Sequence, residues 1–326
     1  MGLLFSRKRT DGKLVQGGDP MNYIMPYVMR SRTEAQVYAT YPVRMDAIQE
    51  FIRQNRRKGV RVTFFNVLVA ALLKTLIERP RLNRFVAGRN IYEHNEFEVL
   101  YVVKEALTEE ANESVAKVRL APEDTIYDVV EKMSSQNERL KAGELKGDDK
   151  MIRLLLRAPR WLIRAVFAFY RWLDYHGLVP KAAIEEFPFY SSAFVSHLGT
   201  IGGNVAHHHL YEMGTTSIFI TIGKTQERPE RTDDDGLRWV KEIDIGINVD
   251  ERICDGYYFI KSLRLFERYM NDPWLLEYPG IQIPIQRSEG LTQFRQKQAE
   301  EERRKRDEKQ AAFERWLALG QPDPER

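Results

Sequence analysis

Residues Lys241–Met270 read KEIDIGINVDERICDGYYFIKSLRLFERYM, and the fold is decided there. In KEIDIGINVD, Ile243, Ile245, Ile247 and Val249 fall at every second position. That is the period of a strand with an apolar face. The run YYFIKSLRLFERYM has the amphipathic pattern of a helix from about Tyr257 to Met270. Between the two stands Glu251-Arg252-Ile253-Cys254-Asp255-Gly256. If the strand's alternation continues, Glu251 follows the isoleucines and points inward.

Outward from this unit, the elements alternate between strand and helix. Gln36 to Met45 alternates through Val37, Ala39, Tyr41 and Val43, which predicts a half-buried strand. Asp46 opens a short basic helix ending near Gly59. Thr63 caps FFNVLVAALLKTLIER, apolar nearly all round, hence buried, and stopped by Pro80. Phe97–Lys104 reads as a buried strand. Pro122-Glu123-Asp124 starts a helix with Ile126, Val129, Val130 and Met133 on one face. Short β-rich runs follow at 193–198 and 215–223. The turn-rich segment containing Asp233-Asp234-Asp235-Gly236 predicts a long-looped hairpin with the strand at 238–250.

Composition sets the outer bounds. The chain has 326 residues, 43% hydrophobic and 30% charged, with a net charge of +3. That balance fits a globular protein and does not call for a nucleic-acid partner. One cysteine leaves no internal disulfide and fits a reducing compartment, so a cytoplasmic location is expected. No uncharged apolar stretch reaches the roughly 18 residues of a spanning helix, and no apolar signal sequence is expected. MGLLFSRKR matches a short myristoylation pattern, but a flexible basic arm over residues 1–22 is the preferred reading. Residues 300–309 are ten consecutive charges. Glu300/Arg304, Glu301/Lys305 and Glu302/Arg306 suit a solvated helical tail over 286–326.

A second basic feature interrupts the core. Arg153, Arg157, Arg160, Arg164 and Arg171 are spaced 4, 3, 4 and 7 apart, which aligns them on one helical face. Aromatic and aliphatic residues fill the positions between them, and Pro159 kinks this helix or starts a second one. The segment at about 150–185 looks like an insertion. Three roles stay open for it: contact with a membrane surface, packing on the domain or a neighbouring subunit, or contact with the phosphates of coenzyme A.

Four stretches carry a family resemblance. VDERICDG at 249–256 resembles the His-x-x-x-Asp-Gly motif of the chloramphenicol acetyltransferase-like superfamily, which includes the catalytic domains of 2-oxo acid dehydrogenase dihydrolipoyl acyltransferases. YVMRSRTEAQVYATYPVRMDAI at 27–48 is similar to the opening strand and helix of those domains. VTFFNVLVAALLKTLIERPRLNRFV at 62–86 is similar to their buried helix and Pro-x-x-Asn segment. SAFVSHLGTIGG at 192–203 resembles their Ser-x-Leu-Gly segment.

The resemblance implies an α/β fold over residues 23–285, a mixed sheet backed by helices, with the helical insertion and the charged C-terminal helix added. It implies a CoA-dependent acyltransferase using a coenzyme A thioester as substrate, with no metal, and a homotrimer whose sites form between subunits. The motif His, the family's general base, is replaced here by Glu251. Ser196 matches the oxyanion donor. Asp255 matches a scaffold Asp that pairs with an arginine of the first strand, here Arg30 or Arg32, and Gly256 permits the turn into the helix.

A buried Glu251 would have its pKa raised toward the range in which a carboxylate serves as base. The alternative is an inactive acyltransferase-fold protein, a trimeric binding or membrane-associated scaffold located peripherally at the membrane. Either His207, His208 or His209 from a neighbouring subunit is a further candidate base. Three successive histidines on a strand do not face one way, so a one-piece metal site is not expected there. Cys254 is expected to pack rather than react. Lipoyl and subunit-binding domains are not expected, which leaves acyl-CoA or another acyl thioester, and the chain itself, as partners.

Overall fold

The computed structural model describes residues 8–104, 113–142, 157–232, 236–280 and 286–318. The chain divides into two units, Met1–Ile283 and Pro284–Arg326.

The first unit is built on a six-stranded mixed sheet. Its strands are β2 (Gln36–Arg44), β5 (Phe97–Lys104), β6 (Glu113–Leu120), β7 (Ala193–His197), β8 (Ile218–Arg231) and β9 (Leu237–Asp250), in the spatial order β2-β9-β8-β7-β5-β6. The β5–β7 and β7–β8 pairs are parallel and the others antiparallel. β8 and β9 form the expected hairpin; the Asp233-Asp234-Asp235 tip lies outside the described residues. Pro42 sits on the edge strand β2, where its missing N–H breaks no inner ladder.

Helices back one face of this sheet. They are α2 (Asp46–Arg57), α3 (Phe64–Glu78), α4 (Ile126–Lys141) and α7 (Gly256–Asn271). α3 packs against α4, α7 and β5, and its residues Asn66–Leu76 are all buried. Thr63 starts α3 through a reciprocal cap with Asn66. At α4 the Asp128 carboxylate accepts hydrogen bonds from the Thr125 N–H (2.8 Å) and hydroxyl (2.6 Å). Those bonds and the favourable helix end hold the Asp128 carboxyl below its usual range.

The opposite face is covered by residues 198–216, a 3₁₀ turn (Leu198–Ile201) followed by a non-repetitive segment. Leu210 and Tyr211 pack on Leu100, Phe194 and Phe219. Thr221 Oγ1 donates to the carbonyl of Ala206, and Asn248 Nδ2 donates to that of His208 (2.5 Å). This close lid needs small residues beneath it. A Cβ on Gly246 would stand 2.6 Å from Thr221 Oγ1 and 2.8 Å from Val205 Cγ2. Because both faces are covered, β9 is buried continuously from Ile243 to Asp250, and its polar side chains are buried beside its isoleucines.

A smaller sheet, β1 (Gly12–Leu14), β4 (Asn90–His94) and β3 (Arg84–Ala87), lies in that spatial order. Among the described residues 8–22, the paired strand β1 differs from the loose arm expected there. Arg9, 2% exposed at its side chain, donates to Asp11 (2.8 Å), Asp174 (2.9 Å) and the Asp174 carbonyl (2.7 Å). Its guanidinium also lies over Phe85 and Tyr92. Burial alone would lower its pKa, but the Asp11 hydrogen bond and the two carboxylate charges raise it above the ordinary value. The first described residues are therefore tied to the body. α1 (Pro20–Val28), with Asp19 accepting the Met21 N–H as its cap, follows.

The second unit contains α8 (Glu289–Ala318), whose first turn is capped by Ser288 Oγ accepting the Leu291 N–H (3.0 Å). Within the charge run Glu301 pairs with Lys305 at 2.8 Å, as the spacing predicts, while Arg304 turns to Glu308 at 3.6 Å. Exposed pairs of this kind are screened by water and add little to the helix.

Arg9→Ala should remove about 3–5 kcal/mol of stability by stranding Asp11 and Asp174, measured as a lowered midpoint in urea unfolding. A loss below about 1 kcal/mol would return these residues to the status of a dispensable arm.

Candidate functional site

β9 ends at Asp250 and the chain turns through one 3₁₀ turn, Glu251–Ile253, before Asp255 caps α7. That turn changes the outcome at Glu251. The N–H of Glu251 donates to the Ala35 carbonyl (2.8 Å), and its side chain is exposed to water. The inward placement predicted from strand alternation is corrected: alternation holds only while the backbone stays extended, and it stops one residue early.

The buried acid is its neighbour. Asp250 is 0% exposed and accepts from Arg252 Nε (2.8 Å) and Nη2 (2.7 Å), one oxygen each. It also accepts the Arg252 N–H (3.1 Å). Arg32, also buried, brings Nε within 4.0 Å of the same carboxylate. Arg32 donates onward to the carbonyls of Tyr211 (3.2 Å), Glu212 (3.0 Å) and Val86 (3.3 Å), and Arg252 reaches the Met29 carbonyl (3.2 Å). Burial lowers the Arg32 pKa, and the Asp250 charge opposes that. Four separate segments are thus tied to one carboxylate.

This cluster takes the scaffold part that the sequence suggested for Asp255. Asp255 is half exposed, accepts the Tyr258 N–H (2.8 Å) as helix cap, and stands 3.5 Å from Arg81 rather than beside Arg30 or Arg32. Arg81 in turn lies over the Tyr258 ring. The Arg30 N–H is held by Glu34 (2.8 Å). Gly256 needs no special backbone: its φ is ordinary, and an added Cβ would meet open space. The sequence does not single out Asp250 and Arg252, because alternation puts Glu251, not Asp250, on the face of the isoleucines. The signal was Asp-x-Arg at a strand end.

Ser196 lies near the end of β7, half-buried, paired in register with Thr221. It shares the loop-covered face with Phe194, whose ring stacks on Phe219. His197 points the other way, toward Phe64 and Phe65 of α3, and burial lowers its pKa. The three histidines do cover the Ser196 face, but separately. His207 sits at the sheet edge, 3.1 Å from Thr40 Oγ1 and edge-on to Tyr38. His208 stacks on Phe219 at 4.1 Å, and burial lowers its pKa. His209 stacks on His208. Among the described residues none of them is hydrogen-bonded to Ser196, and no group of three or more His, Cys, Asp or Glu is placed to hold a metal ion.

The register fixes the separation of Ser196 from Glu251. Ser196 aligns with Thr221 and, across β8, with Gly246 of β9. Glu251 lies five residues beyond Gly246. The two are thus roughly 17 Å apart along the strands and roughly 10 Å across them. Ser196, near the end of β7, is level with the interior of β9, whereas Glu251 lies just past the end of β9, which runs against β7 and β8.

Cys254 is buried, and burial first, then Asp255 and Asp250, push its thiol up to about 12. It packs, as expected.

The fold is that of acyltransferase catalytic cores. The cubic core of a pyruvate dehydrogenase multienzyme complex superimposes with a TM-score of 0.53 at 13% identity, over 80% of this chain and 93% of that one. The dihydrolipoamide acetyltransferase of Azotobacter vinelandii gives 0.52 at 13%, over 80% and 94%. The truncated catalytic core of the 2-oxoacid dehydrogenase multienzyme complex of Thermoplasma acidophilum gives 0.51 at 13%, over 80% and 99%. No protein-family model matches the sequence, and no curated protein matches it. These likenesses establish the mixed-sheet acyltransferase architecture that the motif at 249–256 implied.

Two outcomes check this site. Asp250→Asn should cost about 3–5 kcal/mol by leaving two buried guanidinium groups unpaired, whereas Asp255→Ala should cost only about 1 kcal/mol as a lost helix cap; equal losses in urea unfolding would refute the assignment. Cys254 should resist iodoacetamide in the native protein at pH 8, where burial and its raised pKa keep the thiol protonated, and label fully in denaturant.

Proposed function

We propose that this protein transfers an acyl group from a coenzyme A thioester at a site assembled between copies of the chain. In this reading Glu251 of one copy meets Ser196 of a neighbour. The observation that carries it is the placement of Glu251: an exposed residue set directly beside the buried Asp250–Arg252 pair. An acid pre-positioned at a subunit surface needs a second surface to desolvate it, and that burial would raise its pKa toward a base's range.

The steps follow from those two groups. Glu251 takes the proton of the acceptor's thiol or hydroxyl as its sulfur or oxygen attacks the thioester carbonyl. The Ser196 hydroxyl donates to the oxyanion that forms. Collapse expels the coenzyme A thiolate, which recovers the proton from Glu251. A homotrimer is the proposed assembly, and the multimeric cores with the same architecture support it.

A second reading has its own observation. Within one chain Glu251 faces water and, among the described residues, no base is hydrogen-bonded to Ser196. An inactive scaffold that keeps the fold and the assembly accounts for both. Glu251→Ala and Glu251→His, assayed for acetyl-coenzyme A hydrolysis and transfer, separate the two. The proposed chemistry requires a loss of 10²-fold or more, of the order of a general base's contribution, in the Ala variant. Equal activity of wild type and Ala variant, with a gain in the His variant, would establish the scaffold.

A further inference from the structure

One element fits neither the sheet nor the acyl-transfer reading. Helix α5 (Arg160–Tyr175) has no buried residue over 16 positions. It touches the body along one narrow face: Ile163, Tyr170, Leu173 and Asp174 are half-buried, and Tyr170 and Leu173 pack on Val179, Ile184 and Tyr190. At 100° per residue these four positions fall within one quadrant or slightly more.

Its remaining faces meet water, and they are not polar. Trp161 is 70% exposed, Phe169 60%, Tyr175 51% and Trp172 46%. With Ala165 and Ala168, also exposed, they form one continuous apolar face turned away from the domain. Arg160, Arg164 and Arg171 run along its border, with exposed Arg157 just before the helix. Among the described residues no carboxylate pairs with Arg160, Arg164 or Arg171. Arg153, the first member of the stripe, lies outside the described residues.

The arginine line leads into a groove of about 260 Å³ at the C-terminal end of α5. Arg30, Arg32, Arg89, Arg171 and Arg252 line it, with Asp174 and Glu212; Arg252 and Arg32 already share the Asp250 carboxylate, which leaves Arg30, Arg89 and Arg171 as its uncommitted cations among the described residues. Asp174 is already committed to Arg9 and Tyr190, and Glu212 to Thr33. Buried Arg32 Nε has no hydrogen-bond partner. Beyond the groove, α1 offers exposed Met21, Ile24, Tyr27 and Val28, and Arg89 joins it to the groove by donating to the Pro26 carbonyl.

We propose that the aromatic face of α5 and the arginine groove beside it dock this protein on an anionic lipid surface. Charge and shape select that occupant. Trp and Tyr rings suit the zone where chain and headgroup meet, and bordering arginines reach phosphate oxygens. Sixteen residues make about 24 Å of helix, which lies along a bilayer rather than crossing it. No helix among the described residues is long and apolar enough to cross. A second copy placed symmetrically on the same face would bring two unpaired arginine lines together at a cost. The groove supplies what a bare apolar helix lacks, a cationic recess for the headgroup phosphate.

The experiment uses the full chain and vesicles of phosphatidylcholine alone or mixed with phosphatidylglycerol, read by co-sedimentation and by tryptophan emission, to which Trp161 and Trp172 contribute two of five rings. Binding to the mixed vesicles, a blue-shifted emission and release at high salt are expected, with little binding to phosphatidylcholine. Charge reversal in R160E/R164E/R171E should weaken vesicle binding on the order of 100-fold or more. W161A/F169A/W172A should abolish the bound fraction while leaving the sedimentation coefficient unchanged. Inorganic phosphate in excess should leave vesicle binding nearly intact beyond its ionic-strength effect. No binding by wild type, or a smaller assembly in the aromatic variant, overturns the proposal; the latter makes α5 a contact between copies. Full competition by phosphate at constant ionic strength also overturns it, in favour of a soluble phosphate ligand. None of these readouts depends on turnover, so the acyl-transfer reading stands or falls separately.

Discussion

The carboxylate of Asp250, fully buried between Arg252 and Arg32, is the constraint on which the rest of this structure depends. A buried ion pair is a poor source of net stability, because desolvation offsets most of its attraction. Its value lies in what breaks if the geometry changes. Any shift of the segment after α1, of the 211–212 loop or of the β9 end leaves a charge without a partner in low dielectric. The cluster therefore fixes the point at which β9 stops being a strand, and with it the orientation of Glu251 and the start of α7.

The covering of both sheet faces follows a similar logic. On the helix side, α3 supplies an almost wholly apolar surface. On the other, backbone carbonyls of residues 206 and 208 are satisfied by Thr221 and Asn248, side chains that rise from inside the sheet. A polar residue in a central strand is expensive unless a partner meets it. Here the partner is the loop, so the loop position and the strand residues specify each other. Ser196 lies on this face, next to Thr221, in a place shaped by that loop and not by Glu251.

The architecture is shared with acyltransferase cores at 13% identity. Architecture survives such divergence because it rests on many interchangeable apolar contacts. Chemistry rests on one or two groups whose replacement changes proton affinity. Helix α5 adds a third kind of surface. Its apolar side is turned outward, which burial energetics would remove from a helix whose only role was packing.

Periodicity and capping residues in the sequence by themselves determined much. They fixed β2, β5, the buried α3 with Thr63 at its start, α4, and the strand–turn–helix around Asp255, because each depends on spacing within a dozen residues. The motif at 249–256 added the fold class. Tertiary structure alone decided which acid is buried and which is exposed. It also tied Arg9 into the body, since its partner Asp174 lies 165 positions away. It separated Ser196 from Glu251 by strand direction. The physical reason is common to all three: local pattern sets backbone conformation, but burial and charge pairing are properties of segments distant in sequence, and they form only when the sheet is assembled.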